Sequence, residues 1–441
     1  MTDEIERSLP ATPAGRPTTA QRWIALFFLS LPMFGNYYIY DCINPLNDLF
    51  VQKLQFSDQT IGWLNSIYSV SSMLTLVIGG ILIDRFGTRR AIVLCSILCL
   101  AGAVLTSFGG APAMLCGRAV LGLGAESLIV AITTAMTKWF KGKELSFAFA
   151  INVTIARFGS VAADKSPGWG RFAFYPDGPG TEPSWRGPLF LAIGAGIICL
   201  LGAVVYHLLE RRGDARRLLG EKGAVDRLDL RETFRFSPSY WYIVGLCITF
   251  YSAIFPFRTF AVKFFMHTHF ADLAPELARE AAGSFNGDLP LYAMAATPLF
   301  GLLADRIGRR GLLMLVGSLL LMPVYLLMAY NHASLWIPMA FMGTAFSLIP
   351  AVMWPTVAYI VDEKRLGTAY ALMTLIQQIG LFTFNLLIGW ANDTWKADAS
   401  NPAGYIPGMW IFTSLGFAGV VFAILLWRSE GRRGSQGRSA A

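Results

Sequence analysis

Apolar runs of about twenty residues alternate with short polar stretches along the chain, and a run of that length wound as a helix crosses a hydrocarbon core about 30 Å thick. The pattern predicts twelve such spans, at roughly 23–45, 60–83, 91–110, 113–137, 146–166, 186–209, 239–264, 286–304, 311–330, 335–360, 367–391 and 405–427. Glycine and proline inside several of them are compatible with helices in a bundle, where neighbouring groups satisfy the backbone they disturb. The expected fold class is an all-α membrane protein of twelve transmembrane helices in two six-helix halves. The order is a tail at 1–22, a first bundle at 23–209, a linker at 210–238, a second bundle at 239–427 and a tail at 428–441.

The polar stretches carry organisation of their own. The linker mixes Arg, Glu and Asp with Leu218, Leu219, Val225, Leu228 and Leu230, which predicts short amphipathic helices under the bundle. The stretch from Ser166 to Trp185 is dense in Gly and Pro and reads as an irregular loop, whereas Ala271 to Ala282 reads as helical. The segment from Gly80 through Asp84, Arg85 and Gly87 to Arg89 recurs 221 positions later as Gly301, Asp305, Arg306, Gly308 and Arg310, and each copy ends on an arginine pair, Arg89-Arg90 and Arg309-Arg310. The same offset aligns Ala148 with Ala369 and Gly159 with Gly380, so the chain is duplicated. Duplicated halves that cross a bilayer are the architecture of secondary transporters, with a substrate site between the halves.

Composition agrees: 54% of residues are hydrophobic and only 15% charged. With both termini inside, the outer segments hold only Lys53, Arg171, Arg186, Arg279 and Lys396, against twenty-six of the thirty-six basic residues on the cytoplasmic side. This scatter over many loops accounts for the net charge of +8 without nucleic acid as a partner. The polar first 22 residues show no cleavable signal and no acidic dileucine, so a prokaryotic plasma membrane is the expected home. The six cysteines all fall inside spans and the four histidines lack ligand spacing, so neither disulfides nor a metal nor any other cofactor is expected. No phosphate-binding Gly-x-x-x-x-Gly-Lys-Ser/Thr loop and no catalytic constellation appears, which argues against ATP-driven transport and against an enzyme.

In the repeated loops, the first glycine predicts close helix approach, the second a turn, and the charges an inner gate. Asp84, Arg85 and Arg89 in one copy, and Asp305, Arg306 and Arg309 in the other, are expected to hold that gate shut and release it as the halves rock. A topology anchor explains the arginines but not the aspartates or glycines.

These loops, with Gly117-Arg118 and Gly122-x-Gly124, resemble the major facilitator superfamily over essentially the whole chain. Tyr40-Asp41, Gly124-Ala-Glu126-Ser127-Leu128, the Trp139 to Leu145 run, Ala156-Arg157-Phe158-Gly159-Ser160, Phe255-Pro256-Phe257, Trp354-Pro355 and Leu366 to Tyr370 are similar to its lysosomal dipeptide uniporter-like branch. The resemblance implies the major facilitator fold, in which Asp41, Arg258 and Lys263 face one another across the halves, where either an outer gate or the steering of an incoming carboxylate is the expected role.

An ionised side chain in the bilayer interior is costly unless it meets a partner or water. Glu126 and Arg157 lie twelve and eleven residues from the same inner surface, so both stand about 17 Å up, near mid-bilayer. The offset finds uncharged Ser347 and Gln378 at the equivalent positions, which makes the charged pair an addition to the scaffold. A fork-shaped guanidinium suits a carboxylate and a carboxylate suits an ammonium, so together they suit a small zwitterion such as a dipeptide. The bland alternative is a salt bridge closed on itself. The resemblance implies the same substrate roles. Tyr68, Tyr251, Trp354, Gln377 and Asn385 are further candidates for the cavity wall.

The expected function is a dipeptide uniporter working by alternating access, monomeric and without an obligatory protein partner. A carrier of organic anions, with proton coupling or exchange, and a non-transporting receptor or scaffold are the alternatives.

Overall fold

The computed structural model describes residues 18–140, 144–212, 236–330, 334–362 and 365–439, and the side-chain surroundings of all these except 76–84, 146, 212 and 431–439. The expected linker helices, most of the first tail and the Asp84 side chain lie outside that description.

Among the described residues the twelve spans are Thr19–Asp41, Asp58–Phe86, Thr88–Ser107, Ala111–Phe140, Leu145–Asp164, Arg186–Arg212, Pro238–Thr268, Pro275–Ile307, Arg310–Leu321 continued by Val324–Tyr330, Trp336–Ile360, Leu366–Thr394 and Ile406–Ser439. They are numbered one to twelve in that order. Span one starts on a reciprocal cap: Thr18 Oγ1 accepts from Gln21 N, and Gln21 Oε1 accepts from Thr18 N. Span nine breaks at Met322-Pro323, since the proline has no N–H to continue the ladder. Span eight begins eleven residues before the apolar run, at Pro275, so the helix expected from Ala271 and the eighth span are one element. Two departures concern the loops. The stretch after Asp164 contains two helical turns, Ser166–Trp169 and Arg171–Phe174, and a short amphipathic helix, Asn47–Leu54, joins spans one and two.

The apolar core falls into two clusters, one for each half except that Ile61 of span two packs with the second. The duplication is visible in the packing. Gly159 lets span five touch the Phe34 carbonyl of span one, and its repeat Gly380 lets span eleven touch Ser252 and Ile248 of span seven. The second glycines of the repeated loops turn the chain as expected: Gly87 has φ +77° and Gly308 has φ +67°. Gly301 departs from expectation, because among the described residues nothing lies within 4 Å of the place where its Cβ would stand.

Candidate functional site

The end of the bundle that carries the repeated loops and both chain ends is termed proximal here, and the opposite end distal. Between the halves lies a cavity of about 290 Å³ whose walls come from spans one, two, four, five, seven, eight, ten and eleven. Its ionic groups are unevenly shared. Asp41, Glu126 and Arg157 come from the first half and Arg258 from the second, while Tyr251, Phe255, Phe346 and Trp354 give the second half an aromatic wall.

Glu126 and Arg157 both line this cavity, and each is held by a group of the opposite half. Gln378 Nε2 donates to Glu126 Oε1 at 3.2 Å, and Arg157 Nη1 donates to Thr297 Oγ1 at 3.0 Å with its guanidinium 5.5 Å from the Phe346 ring centre. Arg157 is therefore engaged by Thr297 and Phe346, an arrangement in which neither pole is consumed by the other. Of the remaining expected wall residues, Tyr68, Tyr251, Trp354 and Gln377 face the cavity. Trp354 Nε1 donates to the Tyr251 hydroxyl at 2.9 Å, which orients the indole, and Tyr370 donates to the Trp354 backbone carbonyl at 3.1 Å. Asn385 is not on the wall: it is buried where span eleven meets span two and donates to Leu381 O one turn earlier on its own helix.

From the distal wall of the cavity outward the halves are joined by buried ion pairs. Arg258 donates to Asp164 at 2.6 Å and to Asp41 at 3.3 Å, Lys263 to Asp58 at 2.6 Å, and Arg279 to Asp48 at 2.5 Å, all with side chains at most 5% exposed. Asn44 spans Asp41 and Asp164 at 3.2 and 3.0 Å, and Asn286 donates to Asp164 at 3.0 Å, which satisfies the carboxylates beyond their cation contacts. Asp393 of span eleven accepts from the backbone N–H groups of Asp58 and Gln59, capping span two across the seam. Nearer the surface, Lys165–Asp288 and Arg171–Glu276 cross the seam with the signs reversed. In the three buried sets the acids belong to the first half and the bases to the second.

The structure thus brings Asp41 and Arg258 into one set and Lys263 into the neighbouring one. Asp164 is the centre of the first, a role that the sequence does not reveal, because a charge at the end of a span is ordinarily interfacial. Gln378 was missed as well, being visible only as the uncharged repeat of Arg157. Arg118 braces its neighbours, donating to the carbonyls of Ile39, Tyr40 and Leu64 and to Asn65. The proximal loops behave differently: Asp305 pairs with Arg310 of its own loop at 3.2 Å, and Arg85, Arg306 and Arg309 are exposed.

The family model described as Major Facilitator Superfamily matches residues 26–286 and 289–441. The lysosomal dipeptide transporter MFSD1 of Danio rerio is 32% identical over 381 residues, covering 83% of this chain and 80% of the relative. The protein of the same name from Homo sapiens is 31% identical over 411 residues, covering 89% and 86%. Among solved structures, a bacterial homolog of the human lysosomal transporter Spinster, inward-facing and unoccupied, superposes with a TM-score of 0.73 at 18% identity, covering 93% of this chain and 98% of that one.

Proposed function

The chain belongs to the major facilitator superfamily, and from that premise we propose that this multi-pass membrane transporter carries dipeptides or similar small zwitterions as a uniporter by alternating access. One observation carries the reading: a carboxylate and a guanidinium from neighbouring spans line one cavity, each held by a neutral hydrogen-bonding group of the opposite half that a substrate can displace. The guanidinium matches the peptide carboxylate with a bidentate fork, and Glu126 accepts from the α-ammonium. The aromatic wall of Tyr251, Phe346 and Trp354 supplies apolar area that does not depend on the identity of the substrate side chains. The relatives named as dipeptide transporters support the substrate class.

Alternating access on this reading exchanges two gates. The distal gate is Asp41, Asp164, Arg258, Asp58 and Lys263, and the proximal gate is Asp84, Arg85 and Arg89 with Asp305, Arg306 and Arg309. We place the proximal end and both termini in the cytoplasm, from the distribution of Lys and Arg. The protein works as a monomer. The prokaryotic plasma membrane remains our proposal beside relatives that are named as lysosomal, and fractionation of the native host decides it.

Dipeptides are expected to raise the melting temperature of the wild type, with the effect lost in Glu126→Gln and Arg157→Gln. Stabilisation by carboxylic acids that lack an amine, with none by dipeptides, would replace this reading with an organic-anion carrier. Counterflow of labelled dipeptide in liposomes is expected with or without a pH gradient, and uphill accumulation driven by protons would overturn uniport.

A further inference from the structure

Gln378 is 3% exposed, yet half of its carboxamide has no partner. Its Nε2 donates to Glu126, while its Oε1 is buried and accepts no hydrogen bond among the described residues. The orientation is chemically determined, because only the NH₂ group of a carboxamide can donate to a carboxylate, and the oxygen is then the atom left over. A buried carbonyl oxygen without a donor is unfavourable and uncommon, and it ends where a donor arrives. The residue stands on the cavity wall beside Gln377, whose own Oε1 faces Cys247 Sγ at 3.8 Å, and one turn beyond Thr374. The terminal torsion of a glutamine is soft, so a small turn of the amide plane presents Oε1 to the cavity.

We propose that Gln378 is a specificity residue for the substrate's free amino terminus, its Oε1 forming with the Glu126 carboxylate a two-acceptor cradle contributed by opposite halves. This deepens the dipeptide reading and rests on it. A primary ammonium has three N–H donors and serves both acceptors at once, whereas an N-acylated terminus has one N–H and no charge, and leaves an acceptor unmet. The cradle closes only when spans four and eleven are together, so the ammonium ties the two halves across the seam.

The test uses the full chain in liposomes, with labelled alanylleucine in counterflow and three competitors: alanylleucine, its N-acetyl derivative and its C-terminal amide. In the wild type both blocked peptides are expected to compete poorly. In Gln378→Leu, preference for the free over the acetylated amine is expected to fall about tenfold, the worth of a hydrogen bond to a charged group, while preference for the free acid over the amide is unchanged. Gln378→Met repeats the measurement should the leucine variant fold poorly, and Gln378→Asn is expected to restore part of the preference. An unchanged amine preference in folded variants overturns the inference and leaves the dipeptide reading intact, and so does an equal loss of both preferences, which marks a structural role. A wild type on which no dipeptide competes overturns both.

Discussion

The two ends of the seam between the halves are built differently. At the distal end four acids of the first half meet three bases of the second in nearly dry surroundings, with Asn44 and Asn286 adding hydrogen bonds to Asp41 and Asp164. At the proximal end Asp305 turns to Arg310 of its own loop, and Arg85, Arg306 and Arg309 stand in the open. On the gating proposed above, the difference corresponds to a distally closed state held by buried pairs. Buried pairs are costly to make and costlier to half-break, which suits a gate with two discrete positions, whereas exposed pairs are worth little either way.

The comparison fails most visibly if Arg258→Met is harmless. That change leaves Asp41 and Asp164 buried without their cation, and dipeptide counterflow is expected to fall at least a hundredfold, about 3 kcal/mol. Adding Asp164→Asn is expected to recover part of it. Lys263→Met is expected to cost about 3 kcal/mol of thermal stability through the stranded Asp58, with the Asp58→Asn, Lys263→Met double variant less destabilised than the single. A double variant as damaged as the sum of its singles would show that the pair is not coupled.

Gly389→Leu probes the apolar part of the same closure. A Cβ at Gly389 stands 2.5 Å from the Asp58 carbonyl, so larger side chains are expected to pry spans two and eleven apart at about 1–3 kcal/mol, read by denaturation and by increased alkylation of cysteines introduced along the distal seam. Asp305→Asn supplies the contrast. Its expected effect on stability is below about 1 kcal/mol, because Asp305 is 71% exposed, while counterflow slows several-fold through loss of the proximally closed state. Comparable destabilisation by Asp305→Asn and Lys263→Met would erase the distinction between the two ends.

The smallest effect concerns the distal loop after span eleven. Asp398 accepts from the N–H and hydroxyl of Ser400 and from the N–H of Asn401, which hold its carboxyl below the ordinary value of 3.8. A lowered folded value means that the loop's stabilisation is complete above 3.8 and fades only as pH falls through the lower value. Hydrogen exchange at Ser400 and Asn401 is therefore expected to report a constant opening free energy from pH 7 down to about 5. Asp398→Asn is expected to weaken protection throughout that range.

Twelve spans, their boundaries to within a few residues in most cases, and the two-fold repeat follow from the sequence by itself. Hydrophobic length and the recurrence of Asp-Arg-x-Gly are local properties, and the bilayer leaves an apolar run of that length few alternatives to a helix. That Glu126 and Arg157 stand level enough to line one cavity was legible for the same reason, since position is counted along each helix at about 1.5 Å per residue. What only the tertiary structure decided is which side chains meet. Asp164 at the heart of the distal set, Gln378 on Glu126, Thr297 on Arg157 and the withdrawal of Asn385 from the wall all depend on helix rotation and on the approach of the other half. Neither is written in the periodicity of a span that is apolar on nearly every face. Rotation follows from packing against neighbours far away in the chain, and the few polar atoms on each span then take whichever partners that packing brings within reach.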